Sequence, residues 1–124
     1  MRRNRVLFLL MFATVLRCGA AEIHVSLSGN DENVGSAASP FLTLTRARDA
    51  VRALKASGGL PDDGVVIYLH GGRYPILESF ALASEDSGEA GKTLVYCAAP
   101  GEDARLFGGR DLPAEAFRAV DESA

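Results

Sequence analysis

After Gly58-Gly59 the chain is punctuated by short apolar segments with no helical period between them, and this spacing restricts the fold more than any other feature. The segments are Val65 to Leu69 (VVIYL), Phe80 to Ala83 (FALA), Leu94 to Ala98 (LVYCA) and Arg105 to Phe107 (RLF). The stretches HGGRYP, SEDSGEAGK and APGEDA separate them as turns. A recurrence every 11 to 15 residues leaves no room for the crossover helices of βαβ units. The segments therefore read as strands of a sandwich, a barrel or a β-solenoid. Val65-Val66-Ile67 and Leu94-Val95 are apolar at adjacent positions. Strands shielded on more than one side have that pattern, and it favours the solenoid.

The region before Gly58 supports the same choice. Glu22 to Leu27 (EIHVSL) alternates, with Ile23, Val25 and Leu27 on one face and His24 and Ser26 on the other, as a half-buried strand does. From Thr43 to Ser57 the period changes. Ala47, Ala50, Val51 and Leu54 fall at i, i+3, i+4 and i+7, one apolar stripe on a helix. Thr43 or Thr45 caps its start and Gly58-Gly59 stops it. Arg52 and Lys55 fall in its later turns, where the helix dipole favours cations, and its arginines read as a solvated face. A solenoid needs a plug over its first open coil, and a short amphipathic helix supplies one. The tail from Leu112 to Ala124 is short and polar and does not read as a second cap. The chain then ends after one or two coils, fewer than the three or so that usually stand alone.

The first 21 residues read as a secretory signal peptide rather than part of the fold. Arg2, Arg3 and Arg5 precede the apolar run from Val6 to Leu16, and Cys18-Gly19-Ala20-Ala21 offers small residues for cleavage. Eleven apolar residues are too few for a membrane span, which needs about 20. Arg17 disfavours lipidation at Cys18, and Arg2-Arg3 is only a weak sign of twin-arginine export. Cleavage leaves 103 residues with nine basic and sixteen acidic side chains, a net charge near −7. That charge argues against nucleic acid, anionic membrane and polyanionic glycan as partners, and leaves neutral sugars favoured if sugars are bound. Cys97 is then the lone cysteine, so no internal disulfide staples the domain, and its apolar surroundings predict a buried thiol.

Several stretches approach a known chemistry and stop short. A calcium loop starting at Asp31 would have Asn33 at position 3, but Gly35 and Leu42 occupy positions 5 and 12, where oxygen ligands belong. A looser site on Asp31 and Glu32 is the alternative to a plain turn that leads the chain into the helix. Asp86 to Thr93 (DSGEAGKT) is one residue from a phosphate loop, but a strand follows Lys92-Thr93 where a helix N-terminus should hold the phosphate. His70-Gly71-Gly72 follows a strand as some oxyanion-hole segments do. Arg73 breaks that glycine run, and no G-x-S-x-G elbow accompanies it. Glu85, Asp86 and Glu89 share one loop, a placement that rarely sets two carboxylates across a substrate. No catalytic, cofactor-binding or metal-binding residue is expected in this segment.

Read together, these stretches resemble a known family. Gly29-Asn30-Asp31 with Gly35 forms a G-[ND]-D-x-x-x-G turn. Pro40-Phe41 with Thr43, Leu44, Ala47 and Ala50 forms the P-F-x-T-[LI]-x-x-A-x-x-A helix. Leu69, Gly72 and Tyr74 end a strand, Glu85-Asp86-Ser87-Gly88 gives E-D-S-G, and Tyr96, Ala98, Pro100, Gly101 and Glu102 give Y-x-[AS]-x-P-G-E. Over residues 23–117 the sequence resembles the N-terminal segment of secreted bacterial right-handed parallel β-helix proteins of the pectate-lyase-like superfamily. It is similar to the opening of β-helix glycoside hydrolases of the family 141 type, which has fucosidase and xylanase members. The resemblance implies an N-terminal cap with one short α-helix followed by the first coils, in residues 22–124, of an otherwise all-β domain that continues past the chain end. It also implies an exported protein that acts on polysaccharide by hydrolysis more than by lyase chemistry. No organic cofactor or nucleotide is implied, and the catalytic acids lie on later coils. Non-catalytic surface, adhesion and glycan-binding proteins share a similar opening. A small complete binding domain is the further alternative.

Overall fold

The computed structural model describes residues 19–120. Most of the expected signal peptide, including Cys18, lies outside the described residues. The first strand, β1 (Ala21–Val25), takes in Ala21, the last residue of the expected leader.

The helix forms where its pattern places it. α1 (Leu44–Gly58) starts at Thr43, whose side chain accepts the N–H of Arg46, and ends at Gly59, whose N–H returns to Lys55 O. Gly59 has φ 90°, a left-handed conformation open to glycine at little cost. The apolar stripe gains Leu44 at its start, and Leu44, Ala47 and Val51 are buried.

The remaining elements are β2 (Val65–Leu69), β3 (Gly72–Pro75), β4 (Leu94–Ala98) and β5 (Ala104–Phe107), with 3-10 turns at Ser84–Asp86 and Ala114–Ala116. β1, β2 and β4 form a parallel sheet in that order, and β3 pairs with β5 in a second parallel sheet. The register is continuous, so Ile23, Ile67 and Tyr96 form one ladder and Val25, Leu69 and Ala98 another. The strand–turn–strand unit β2-β3 thus lies directly over the unit β4-β5. Mostly strands, one helix and two parallel sheets are compatible with a fragment of a parallel β-helix. Parallel neighbours joined by long connections suit the adjacent apolar residues of β2, which are shielded on more than one face.

The core lies between α1 and the sheets. Val25, Phe41, Leu44, Ala47, Val51, Leu60, Val65, Ile67, Leu69 and Tyr74 form one buried cluster. The outer edge of β1 is covered by residues 35–41: His24 N–H donates to Gly35 O, Phe41 N–H to His24 O, and Ser26 N–H to Phe41 O. The outer edges of β4 and β5 carry no partner strand among the described residues. Val95 and Leu106 stand 40% and 52% exposed there.

Four expectations change. β1 ends at Val25, not Leu27, because the chain turns at Ser26–Gly29, and Leu27 is exposed. His24 does not face water; it is buried against Tyr68 and His70. Phe80 to Ala83 is not a strand, and Phe80 instead anchors the loop through an edge contact with Tyr96. β3 arises inside a stretch that reads as a turn, because its partner β5 lies about 30 residues on and supplies the ladder.

Candidate functional site

The stretch from Gly29 to Phe41 is held as a turn. Asn30 accepts the N–H of Glu32, and Asn33 donates to Pro40 O. Asp31 is the centre of this loop. One carboxylate oxygen accepts Leu42 N–H and Thr43 N–H, both at 2.9 Å, and the other accepts the Thr43 hydroxyl at 2.8 Å. Both oxygens are thus engaged at the start of α1, where a negative charge also suits the helix dipole.

The helix arginines do not form a solvated face. Arg46 bonds Asp31 O and lies over the Phe41 ring, and Arg48 reaches Ala81 O and the Phe80 ring. Arg52 makes a two-pronged bond to Asp86, 2.7 Å on each side, while Lys55 donates to Glu85 O and Ser87 O. Together they clamp residues 81–87 onto α1. Asp86 is 8% exposed, and beside the Arg52 side chain its carboxylate also accepts the backbone N–H of Ala83. The Arg52 guanidinium, then the Ala83 N–H, hold the Asp86 carboxyl far below the usual carboxylate range. Glu89, the third acid of that loop, accepts Leu60 N–H and meets Lys92. The near-phosphate-loop residues are therefore spent on structure.

The cluster that sequence reading passed over sits at the C-terminal ends of β1 and β2. His24 Nδ1 lies 3.1 Å from His70 Nε2, and His70 Nδ1 lies 3.0 Å from Glu102 Oε1. Glu102 Oε2 accepts Gly71 N–H at 2.6 Å. At the other end His24 Nε2 is 3.7 Å from Glu22 Oε2. The Gly71 N–H and then the His70 ring hold the Glu102 carboxyl below its ordinary range. Tyr74, buried, donates its hydroxyl to His70 O at 2.6 Å, with Val25 O 3.2 Å away, and burial pushes its ionisation up. His70 borders an open polar cleft with Ser26, Ser28, Asn33 and Pro40. His70-Gly71-Gly72 thus serves a carboxylate latch: Gly71 N–H is taken by Glu102 and Gly72 N–H by Asp103 O. The sequence signals were separate: the alternation of β1, which sets His24 on the face opposite Ile23 and Val25, and His70-Gly71-Gly72 at the end of β2; nothing local joined the two.

Cys97 is half-buried and unpaired. Among the described residues no group of three or more His, Cys, Asp or Glu could hold a metal ion. No described helix is long and apolar enough to cross a membrane.

No protein-family model and no curated protein matches the sequence. Solved structures do. A chain described as a glycoside hydrolase matches with 33% identity and a TM-score of 0.67, over 70% of this chain and 15% of its own. The complex of XylC with xylose matches at 28% identity and TM-score 0.48, over 67% of this chain and 11% of its own. A rhamnogalacturonan lyase matches at 24% identity and TM-score 0.49, over 69% and 21%. Only the first superposes well enough to support further reading. This chain spans about a seventh of that glycoside hydrolase, to which its fold and more than half of its length are similar.

Proposed function

We propose that residues 22–120 are the N-terminal cap and first coils of an exported right-handed parallel β-helix protein that cleaves polysaccharide or glycosides, as a hydrolase rather than a lyase. The catalytic carboxylates stand on later coils, beyond this segment. The observation that carries the proposal is the in-register parallel stacking of β2-β3 over β4-β5, in a segment 33% identical to part of a glycoside hydrolase. The unpaired outer edges of β4 and β5, with apolar Val95 and Leu106 exposed beside them, favour a further coil stacked there. Within the segment Asp31, Asp86, Glu89 and Glu102 are held by backbone N–H groups or cations, and Asp49, Glu85 and Asp103 are paired with arginines. Glycoside hydrolysis needs two carboxylates about 5 to 10 Å apart across a substrate. The net acidic charge favours a neutral glycan.

The test is expression of the longest reading frame that contains this sequence, incubated with neutral polysaccharides. The expected outcome is release of new reducing ends without an unsaturated product. An unsaturated product would assign a lyase instead. Binding without product would assign the non-catalytic surface or glycan-binding reading. A frame that stops after Ala124, with a chain that folds cooperatively alone, would overturn the coil assignment.

A further inference from the structure

The line Glu22–His24–His70–Glu102 is not used by the proposed function, and its donors and acceptors run in one direction. The Glu102 carboxylate can only accept, and with Gly71 N–H on one oxygen the other takes the Nδ1–H of His70. A neutral His70 then has a lone pair on Nε2 and must accept from His24 Nδ1–H. The two ring centroids are 5.3 Å apart while the facing nitrogens are 3.1 Å apart. The nitrogens therefore point at each other along the line between the rings, the geometry of an N–H···N bond rather than of two ligands converging on a metal.

We propose that this line is a latch that accepts one added proton and is opened by a second. The first proton enters at His24 Nε2, where it faces Glu22 and leaves every bond in place. The second has only His70 Nε2 to occupy, and there it sets two N–H groups and two positive rings against each other. The other groups that face the pair offer no relief. Tyr68 packs a neutral ring against His24 from β2, tilted by 34°. The Tyr74 hydroxyl from β3 is committed to His70 O. Asp103, beside Glu102 in the turn before β5, is paired with Arg105. Opening releases the end of β1 and the turn that carries Glu102 from the end of β2. The second proton finds a place only in the opened line, so added acid favours opening once the line already holds one proton, and stability falls from there as pH drops.

The test combines two measurements on the purified chain. In the 15N-labelled protein near neutral pH, NMR should show His70 as the Nδ1–H tautomer, with a scalar coupling between His24 Nδ1 and His70 Nε2 that vanishes on acidification. Between about pH 7.5 and about pH 5 the Tm of the wild type should fall. In His24→Gln, which keeps an amide donor but cannot take a proton, that fall should shrink to half or less. If His24→Gln does not fold, His70→Gln and the wild-type coupling carry the test. Absence of the coupling near neutral pH, or parallel Tm profiles in wild type and variant, would overturn the proposal.

Discussion

Asp86 shows how a residue's role can be hidden by distance along the chain. As one of three acids in a loop it reads as solvated background, but Arg52, 34 positions earlier, turns it into a buried ion pair. Replacing one partner leaves the other charge unpaired in a partly dry site. Asp86→Asn should therefore lower the Tm at neutral pH by more than about 5 °C in a thermal melt. The acid dependence follows from the sign of the shift. The folded carboxyl ionises far below its ordinary value of 3.8. Its contribution is full above that value and is lost as pH falls below it, a steepening that should be absent in Asp86→Asn. Asp31 is a milder case whose local role was legible: Asn, Asp and Gly in a short stretch before an apolar stripe predict a turn at a helix start. The structure adds that its two oxygens hold three donors. Asp31→Ala should cost about 1–3 kcal/mol in denaturant unfolding, from lost capping and unsatisfied amides.

At the scale of elements, those with a strong internal period were legible and those made by a distant partner were not. α1 and β2 have such patterns, and β2 and β4 appear at the expected bounds. β3 has four residues, one of them glycine, and exists because β5 pairs with it. Phe80 to Ala83 has the opposite fate: apolar enough for a strand, it has no neighbour to pair with and is held by side chains. The step from α1 into β2 depends on Gly64, with φ 80° and Thr93 backbone against its α-carbon. A methyl there meets the Thr93 carbonyl oxygen and is strained in that backbone conformation. Gly64→Ala should cost more than about 2 kcal/mol, measured by the urea midpoint, with the β2–β4 ladder the first to loosen in hydrogen exchange.

For the whole molecule, one end of the core is closed and the other is open. Residues 35–41 and α1 cover the β1 side, while Leu82 and Leu106 stand 53% and 52% exposed beside the unpaired edges of β4 and β5. The isolated chain should therefore self-associate with rising concentration in light scattering. Leu82→Lys with Leu106→Lys should reduce that association while leaving the helical circular dichroism signal unchanged. From its own periodicities the sequence determined the capped helix, the two strong strands and the lack of crossover helices after Gly59, because these depend on residues within one or two turns of each other. Which strands stack, which acid meets Arg52, and that His24 meets His70 across 46 positions were decided by the tertiary structure. Parallel pairing joins residues about 30 or more apart, and local pattern has no information at that range.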